Sequence, residues 1–235
     1  MKPYPKEFVL ALPAVFLLLS ADRLGTEPYP AMPRPVADWS QAAPLLPGRN
    51  AGRFGSPGDP LNLVFVGTPA AVRAALADAG WTEVPASVRG SLAAGVEEWL
   101  DGKPLASFPP MNDYRLHGRR QDMNWAIPIR PLAERHHFRL WRTPLYVGER
   151  SFWWGSANYD LSIRWRDVSH VPDPDADRER DEVVRRLANS RFLESLSLQP
   201  LPQIPREGVN DKGYPFRTDG RAALIVLKNA PAGKR

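Results

Sequence analysis

The sequence predicts one α+β domain with a mainly antiparallel sheet, about three helices and a β-α-β opening. Three observations carry this. A short apolar run, Leu61 to Val66, leads straight into a segment of helical period and a brief β-branched return. Three stretches rich in aromatic and β-branched residues then follow one another, at 114–129, 136–147 and 152–165. Finally, an acid-headed helical segment separates them from a closing apolar stretch at 222–227.

Taken in order, Leu61 to Gly67 reads as a buried strand. Thr68 and Pro69 have the chemistry of an N-cap and first helical residue. Val72, Ala75, Leu76 and Ala79 recur at helical spacing, Gly80 suits the C-terminal cap, and Trp81 to Val84 returns as a strand. Ser87 to Leu100 is a second helix, with Val88, Leu92, Val96, Trp99 and Leu100 on one side. Strands follow over the three aromatic stretches. Asp173 to Asn189 is a third helix, with Pro174 at its first position, acids in its first turns and Val183, Val184 and Leu187 as the apolar stripe. Phe192 to Leu198 and Ala222 to Leu227 close the sheet, with a loop over 200–220.

The N-terminus has Lys2 and Lys6, then an apolar run from Phe8 to Leu19, then Ser20 and Ala21. That is the layout of a secretory signal peptide, and the run is short of the roughly 20 residues a membrane span needs. Residues 1–21 are therefore expected to be a signal peptide or a short membrane anchor, and the domain to be exported to the periplasm or tethered to the cell envelope. Membrane contact is expected at most through residues 8–21. Eleven of the 26 prolines lie in the first 60 residues. Proline removes an amide donor and favours extended backbone, so 22–58 reads as linker or wrapping coil and the domain as 59–229.

The chain has no cysteine, which excludes disulfides, thiolate zinc sites, Cys-ligated clusters and Cys nucleophiles. Its formal net charge is +5, with arginine far outnumbering lysine. Guanidinium suits carboxylate and phosphate. The arginines are spread along the chain and no nucleic-acid motif is present, so nucleic acid is not an expected partner. The G-x-S-x-G, H-E-x-x-H, Walker and G-x-G-x-x-G patterns are absent.

Polar residues gather in three places. Gly118 to Asp122 reads as a turn whose Arg119 holds an anion or faces solvent. Arg135 to Trp141 alternates: Arg135, His137 and Arg139 share one strand face, His136 the other. Adjacent His136 and His137 therefore do not serve one metal. His136 has the company of a hydrogen-bonded core histidine. Asp173, Asp175 and Asp177 resemble the start of a calcium loop, but Arg178 stands where glycine is needed and Val184 where a bidentate glutamate is needed. Those acids are read as a helix start whose counter-charges include Arg180. With His170 just upstream, His170, Asp173, Asp175 and Asp177 form the one candidate set for a divalent metal. No cofactor is otherwise expected. Arg135, His137 and Arg139 are expected to face the acids near 173–177, because buried guanidiniums need counter-charge.

These motifs occur together in order: Gly118-Arg119, Gln121-Asp122, Arg135-His136-His137, Arg139-Leu140-Trp141, Trp154-Gly155, Ala157, Asp160, His170, and the run Asp173, Asp175, Asp177, Glu179, Arg180, Asp181. The set resembles the LssY C-terminal domain family over about residues 60–189. That family is often joined to multi-span membrane regions, some like DedA proteins or lipid phosphatases, and is linked by name to secretion systems without an established activity. The resemblance implies an envelope association and one shared polar site. It carries over no phosphatase or transporter chemistry.

Two function classes follow. One is a non-catalytic accessory domain that binds an envelope protein or an anionic ligand such as a lipid headgroup. The other is a hydrolase of a phosphoester or lipid-related substrate, metal-assisted or not, with His137, His170 and Asp160 as catalytic candidates. The first asks for arginines and aromatics at a surface. The second asks His137, His170, Asp160 and the aspartate run to converge.

Overall fold

In the computed structural model, residues 32–229 are described, except 53, 86–87, 102–110, 131–133 and 165–168. The signal segment expected at 1–21 and residues 22–31 of the Pro-rich stretch lie outside the described residues.

Residues 34–60 carry β1 (Arg34–Pro35), α1 (Trp39–Ala42), a 3-10 turn (Ala43–Leu45), β2 (Arg49–Ala51) and β3 (Pro57–Pro60). Of the two readings of this stretch, linker or wrapping coil, its described part is the second. Val36, Ala42 and Leu46, set between the prolines, are buried in one apolar cluster with Trp141 and Trp154. Folded structure thus begins well before the expected start at 59.

The β-α-β opening is β4 (Leu63–Gly67), α2 (Pro69–Asp78) and β5 (Thr82–Val84). The Thr68 side chain accepts from the Ala71 amide and caps α2, with Pro69 in its first turn. Gly80 ends it at φ +83°, a left-handed conformation that glycine takes without steric cost. Helix α3 (Val88–Leu100) follows. Then come β6 (Arg115–Leu116), β7 (Arg119–Arg120), β8 (Met123–Arg130), β9 (Glu134–Val147), β10 (Arg150–Arg164) and β11 (Ser169–Pro172). Helix α4 (Ala176–Leu187), β12 (Leu193–Pro200), β13 (Glu207–Val209), β14 (Pro215–Arg217) and β15 (Arg221–Leu227) complete the chain. The stretch 200–220, expected as loop, holds the β13–β14 hairpin.

Among the described residues the main sheet runs β12-β15-β4-β10-β9-β8-β5, with β1 added to β9 and β11 to β10. It is mainly antiparallel; β15–β4 and β1–β9 are the parallel pairs. Three strands, β10, β9 and β8, separate β5 from β4, so α2 crosses the face of the sheet rather than joining neighbours. A smaller sheet, β3-β2-β6-β7, lies apart from it.

Both faces of the centre are covered. Phe65, Phe138, Leu140 and Trp153 pack with Val72 and Leu76 of α2 and with Val183 and Leu187 of α4. Their strand neighbours Val64, Trp141 and Trp154 point the other way, against Leu46 and Leu61. The period of two delivers one residue to each face. Gly155 of β10 is required by close packing, since a Cβ there would lie 2.8 Å from Leu140 Cδ2 and 2.9 Å from Leu63 Cβ. The expected apolar stripe of α4 is confirmed, with Val183 and Leu187 fully buried and Val184 partly so. Its cap is Asp175, whose side chain accepts from the Asp177 amide. Pro174 precedes that cap instead of following it. Among the described residues, no helix is long and apolar enough to cross a membrane.

Candidate functional site

Antiparallel pairing sets Arg135 opposite Asp160, His137 opposite Asn158 and Arg139 opposite Ser156. All six side chains leave the same face of the β9–β10 ribbon. Strand β11 then folds back on β10, with Pro172 beside Asp160 and His170 beside Ile163. Three bases converge on one oxygen. Asp160 Oδ2 lies 3.0 Å from Arg135 Nε, 3.1 Å from His137 Nδ1 and 3.2 Å from His170 Nδ1. The arginine contact is a hydrogen bond, whereas the two imidazoles are at ion-pair distance without hydrogen-bond alignment.

Loops close the site. Arg139 Nε donates to the Asn112 carbonyl at 3.2 Å, and its guanidinium stacks 4.7 Å above the Tyr114 ring. Lys212 reaches over the same ring at 5.9 Å. Asp59 accepts from Asn158 Nδ2 at 3.2 Å and from Asn210 Nδ2 at 2.9 Å. These groups line a cavity of about 30 Å³ that also includes His137, His170 and Tyr214.

Burial decides the charges. It drives the His170 pKa down to about 3 against the pull of Asp160, with Arg135, His137 and Lys212 adding to the fall. His137 moves the same way for the same cause, with Arg139 and Arg135 beside it. Burial alone would raise Asp160; the neighbouring His137, His170 and Arg135 outweigh it and hold the carboxyl far below its usual range. Asp160 is thus an anion, and its compensating cation at neutral pH is Arg135. Burial, then Arg139, lowers Lys212. Burial, then the Asp59 charge, pushes the Tyr114 hydroxyl well up, so it stays protonated. His170 Nε2 is buried with no hydrogen-bond partner among the described residues.

The other residues singled out from the sequence lie elsewhere. His136 faces the opposite side, as its apolar neighbours indicate, and its Nδ1 is 2.6 Å from Glu179 Oε2. Arg119 pairs with Asp122 at 3.0 Å and donates to the Arg142 carbonyl. The acids near 173–177 do not face Arg135, His137 and Arg139, which corrects the expected pairing. Asp173 accepts from Arg178 at 2.7 Å, and Asp175 caps α4 and accepts from Arg217 at 3.2 Å. Asp177 accepts from Thr218 Oγ1, the Asp219 amide and Arg180. Arg180, 1% exposed, is held by Asp177, Asp181 and Asp219. These acids serve a helix start, its own arginines and the segment Arg217 to Asp219 packed beside it. Accordingly, among the described residues His170, Asp173, Asp175 and Asp177 do not form a metal-ligand cluster.

Sequence reasoning missed Asp59, Asn112, Tyr114, Asn158, Asn210 and Lys212. Asn158 was within reach: Ser156, Asn158 and Asp160 alternate with Ala157 and Tyr159, the same period that grouped Arg135, His137 and Arg139. The others come from separate loops or, for Asp59, from β3, and carry no local pattern.

The family model described as LssY C-terminus matches residues 44–222. The chain belongs to the LssY C-terminus family. The match extends on both sides of the stretch that carried the sequence resemblance. It takes in Asp59, the whole β9–β10 ribbon and the loop with Asn210 and Lys212, so every residue lining the cavity lies inside the LssY C-terminus region. No curated protein and no solved structure matches the chain.

Proposed function

We propose that this LssY C-terminus domain is a non-catalytic, exported cell-envelope module that binds one small oxyanion, a carboxylate or phosphate group of its ligand or partner. The observation that carries this reading is the cavity beside Asp160. Arg135, Arg139 and Lys212 bring three cations to its wall, against the two carboxylates Asp59 and Asp160. Both carboxylates already hold donors of their own: Asp160 has Arg135, and Asp59 has Asn158 and Asn210. Arg139 and Lys212 have no carboxylate within ion-pair distance among the described residues, which leaves them for an incoming anion. At about 30 Å³, the space suits one or two oxygen atoms rather than a whole substrate, since a water needs roughly 10–15 Å³ on this measure. Export is supported by Lys2 and Lys6 ahead of the Phe8–Leu19 run.

The test is calorimetric titration of inorganic phosphate and of acetate into the protein at pH 7. Saturable binding of either, weakened at least tenfold by Lys212→Ala, supports the reading. Absence of heat with both anions, or equal affinity in the variant, contradicts it. A second reading, hydrolysis, is favoured by one observation: His170, a neutral imidazole lining the cavity with Asp160 Oδ2 3.2 Å from its Nδ1, has an Nε2 that no described residue occupies, a position open to a general base. Turnover of p-nitrophenyl phosphate, abolished in His170→Asn, would establish it in place of the first.

A further inference from the structure

At the other end of the same face of β9 and β10 lies a second, larger cavity of about 490 Å³. Its volume falls in the range of small-molecule sites, about 300–1,000 Å³. The floor is apolar: Trp141 and Trp154, directly opposite in register, with Leu145 beside them. The rim is basic, with Arg34, His117, Arg119 and Arg142, and no carboxylate is among its described lining residues. Arg34 is exposed and has no ion-pair partner among the described residues. Arg119 and Arg142 also line an adjoining cavity of about 480 Å³, more polar, in which Glu149 is the one acid among the described lining residues. Apolar and polar compartments therefore meet at these two residues.

One further observation points to a ligand. Trp141 Nε1 is buried and has no hydrogen-bond partner among the described residues, and a buried donor left unmet is destabilising until something accepts from it.

We propose that this slot holds a single-chain amphiphile with an anionic head. Its alkyl chain lies along Trp154 and Leu145. Its carboxylate or phosphate head meets Arg34, Arg119 and Arg142, and one head oxygen accepts from Trp141 Nε1. The apolar floor fits a hydrocarbon, and the rim, three arginines of which Asp122 pairs Arg119, selects the sign of the head.

Dodecyl phosphate, dodecanoate and dodecyltrimethylammonium, each below its micellar concentration, are titrated into the full chain and into the variants Arg34→Glu, Trp141→Phe, Lys212→Ala and Arg191→Ala. The expected result is saturable binding of either anionic probe and no binding of the cationic one. Affinity falls at least tenfold in Arg34→Glu and in Trp141→Phe, which keeps the aromatic volume but lacks the donor. Arg191→Ala, which removes an exposed arginine that lines neither cavity, binds as the parent does. Tighter binding of dodecyl phosphate than of dodecanoate identifies a phosphate head, and the reverse a carboxylate. Equal binding of the cationic probe, or unchanged affinity in Arg34→Glu, overturns the proposal. So does loss of binding in Lys212→Ala alone, which moves the ligand to the small cavity. Nuclear Overhauser contacts from the Trp141 indole to Phe8–Leu19 in the ligand-free chain also overturn it, because the chain's own segment is then the occupant.

Discussion

Arg135 Nε donates to Asp160 Oδ2 at 3.0 Å, and both side chains are all but sealed from solvent, at 5% and 2% exposure. The pair joins the first half of β9 to the second half of β10, and the two site histidines turn about it. Removing Arg135 leaves the buried Asp160 carboxylate without its hydrogen-bonded guanidinium.

Arg135→Ala is accordingly expected to lower the unfolding free energy by about 3–5 kcal/mol. Denaturant unfolding of parent and variant measures it. A loss near the 0–1 kcal/mol typical of exposed ion pairs would show that the cluster is solvated.

The acidic run makes a contrasting prediction. Arg180 grips Asp219 through both Nη1 and Nη2, at 2.7 and 3.2 Å. A double-mutant cycle on Arg180→Ala and Asp219→Ala should give a coupling above about 1 kcal/mol. The same cycle on Arg139→Ala and Asp177→Ala should be additive within about 0.5 kcal/mol, since the two belong to separate networks. Strong coupling in the second cycle would restore the pairing expected from sequence.

That contrast shows how far the sequence could be read. Strand period put Arg135, His137 and Arg139 on one face and His136 on the other, and both placements hold. The order of strands and helices was equally legible, because hydrophobic period and capping chemistry are local. The counter-charge was not legible. Sequence offers a dense acidic run at 173–177 and a lone Asp160, and density favours the wrong one. Helix capping claims Asp175, Arg180 and Thr218 claim Asp177, and the register of β9 with β10 claims Asp160. Lys212 reaches the site through a loop and Asp59 through β3 of the smaller sheet, and only tertiary packing fixes the course of either. The wrapping of 34–60 was hidden likewise, because prolines mark extended chain without saying what it lies on.

His136 and Glu179 form a buried contact of 2.6 Å with both groups pushed toward neutrality. Burial raises Glu179 well above its usual range and lowers His136 to about 4. A neutral carboxyl is closely imitated by an amide, so Glu179→Gln should cost under about 1 kcal/mol, near the value of one hydrogen bond. A loss of about 3–5 kcal/mol in Glu179→Gln would show that the pair is ionised.

Acid sensitivity follows from the same shifts. His136, His137 and His170 have folded pKa values below the unfolded value of about 6.5, so unfolding takes up their protons as pH falls through 6.5. Glu179, raised in the folded state, works in the opposite sense and releases one proton on unfolding above about pH 4.3. Uptake by the three histidines outweighs release by the single glutamate, so unfolding takes up protons on balance near pH 5.5. Stability should therefore fall steadily from pH 6.5 to 4.5, by about 1.4 kcal/mol per proton per pH unit. Urea titrations at half-unit steps check it. A flat profile over that window would mean that the histidines are not held neutral.

The most direct test of the central claim uses the imidazoles as reporters. The chain has four histidines, His117, His136, His137 and His170, so their ring nitrogens are separable by NMR. Inorganic phosphate is titrated at pH 7 and the ring nitrogen shifts are followed. An oxyanion entering beside Arg139 and Lys212 should move His137 and His170 together along one saturating curve and leave His136 still. Shifts confined to exposed His117, or a linear drift of all four without saturation, would contradict an anion site at Asp160.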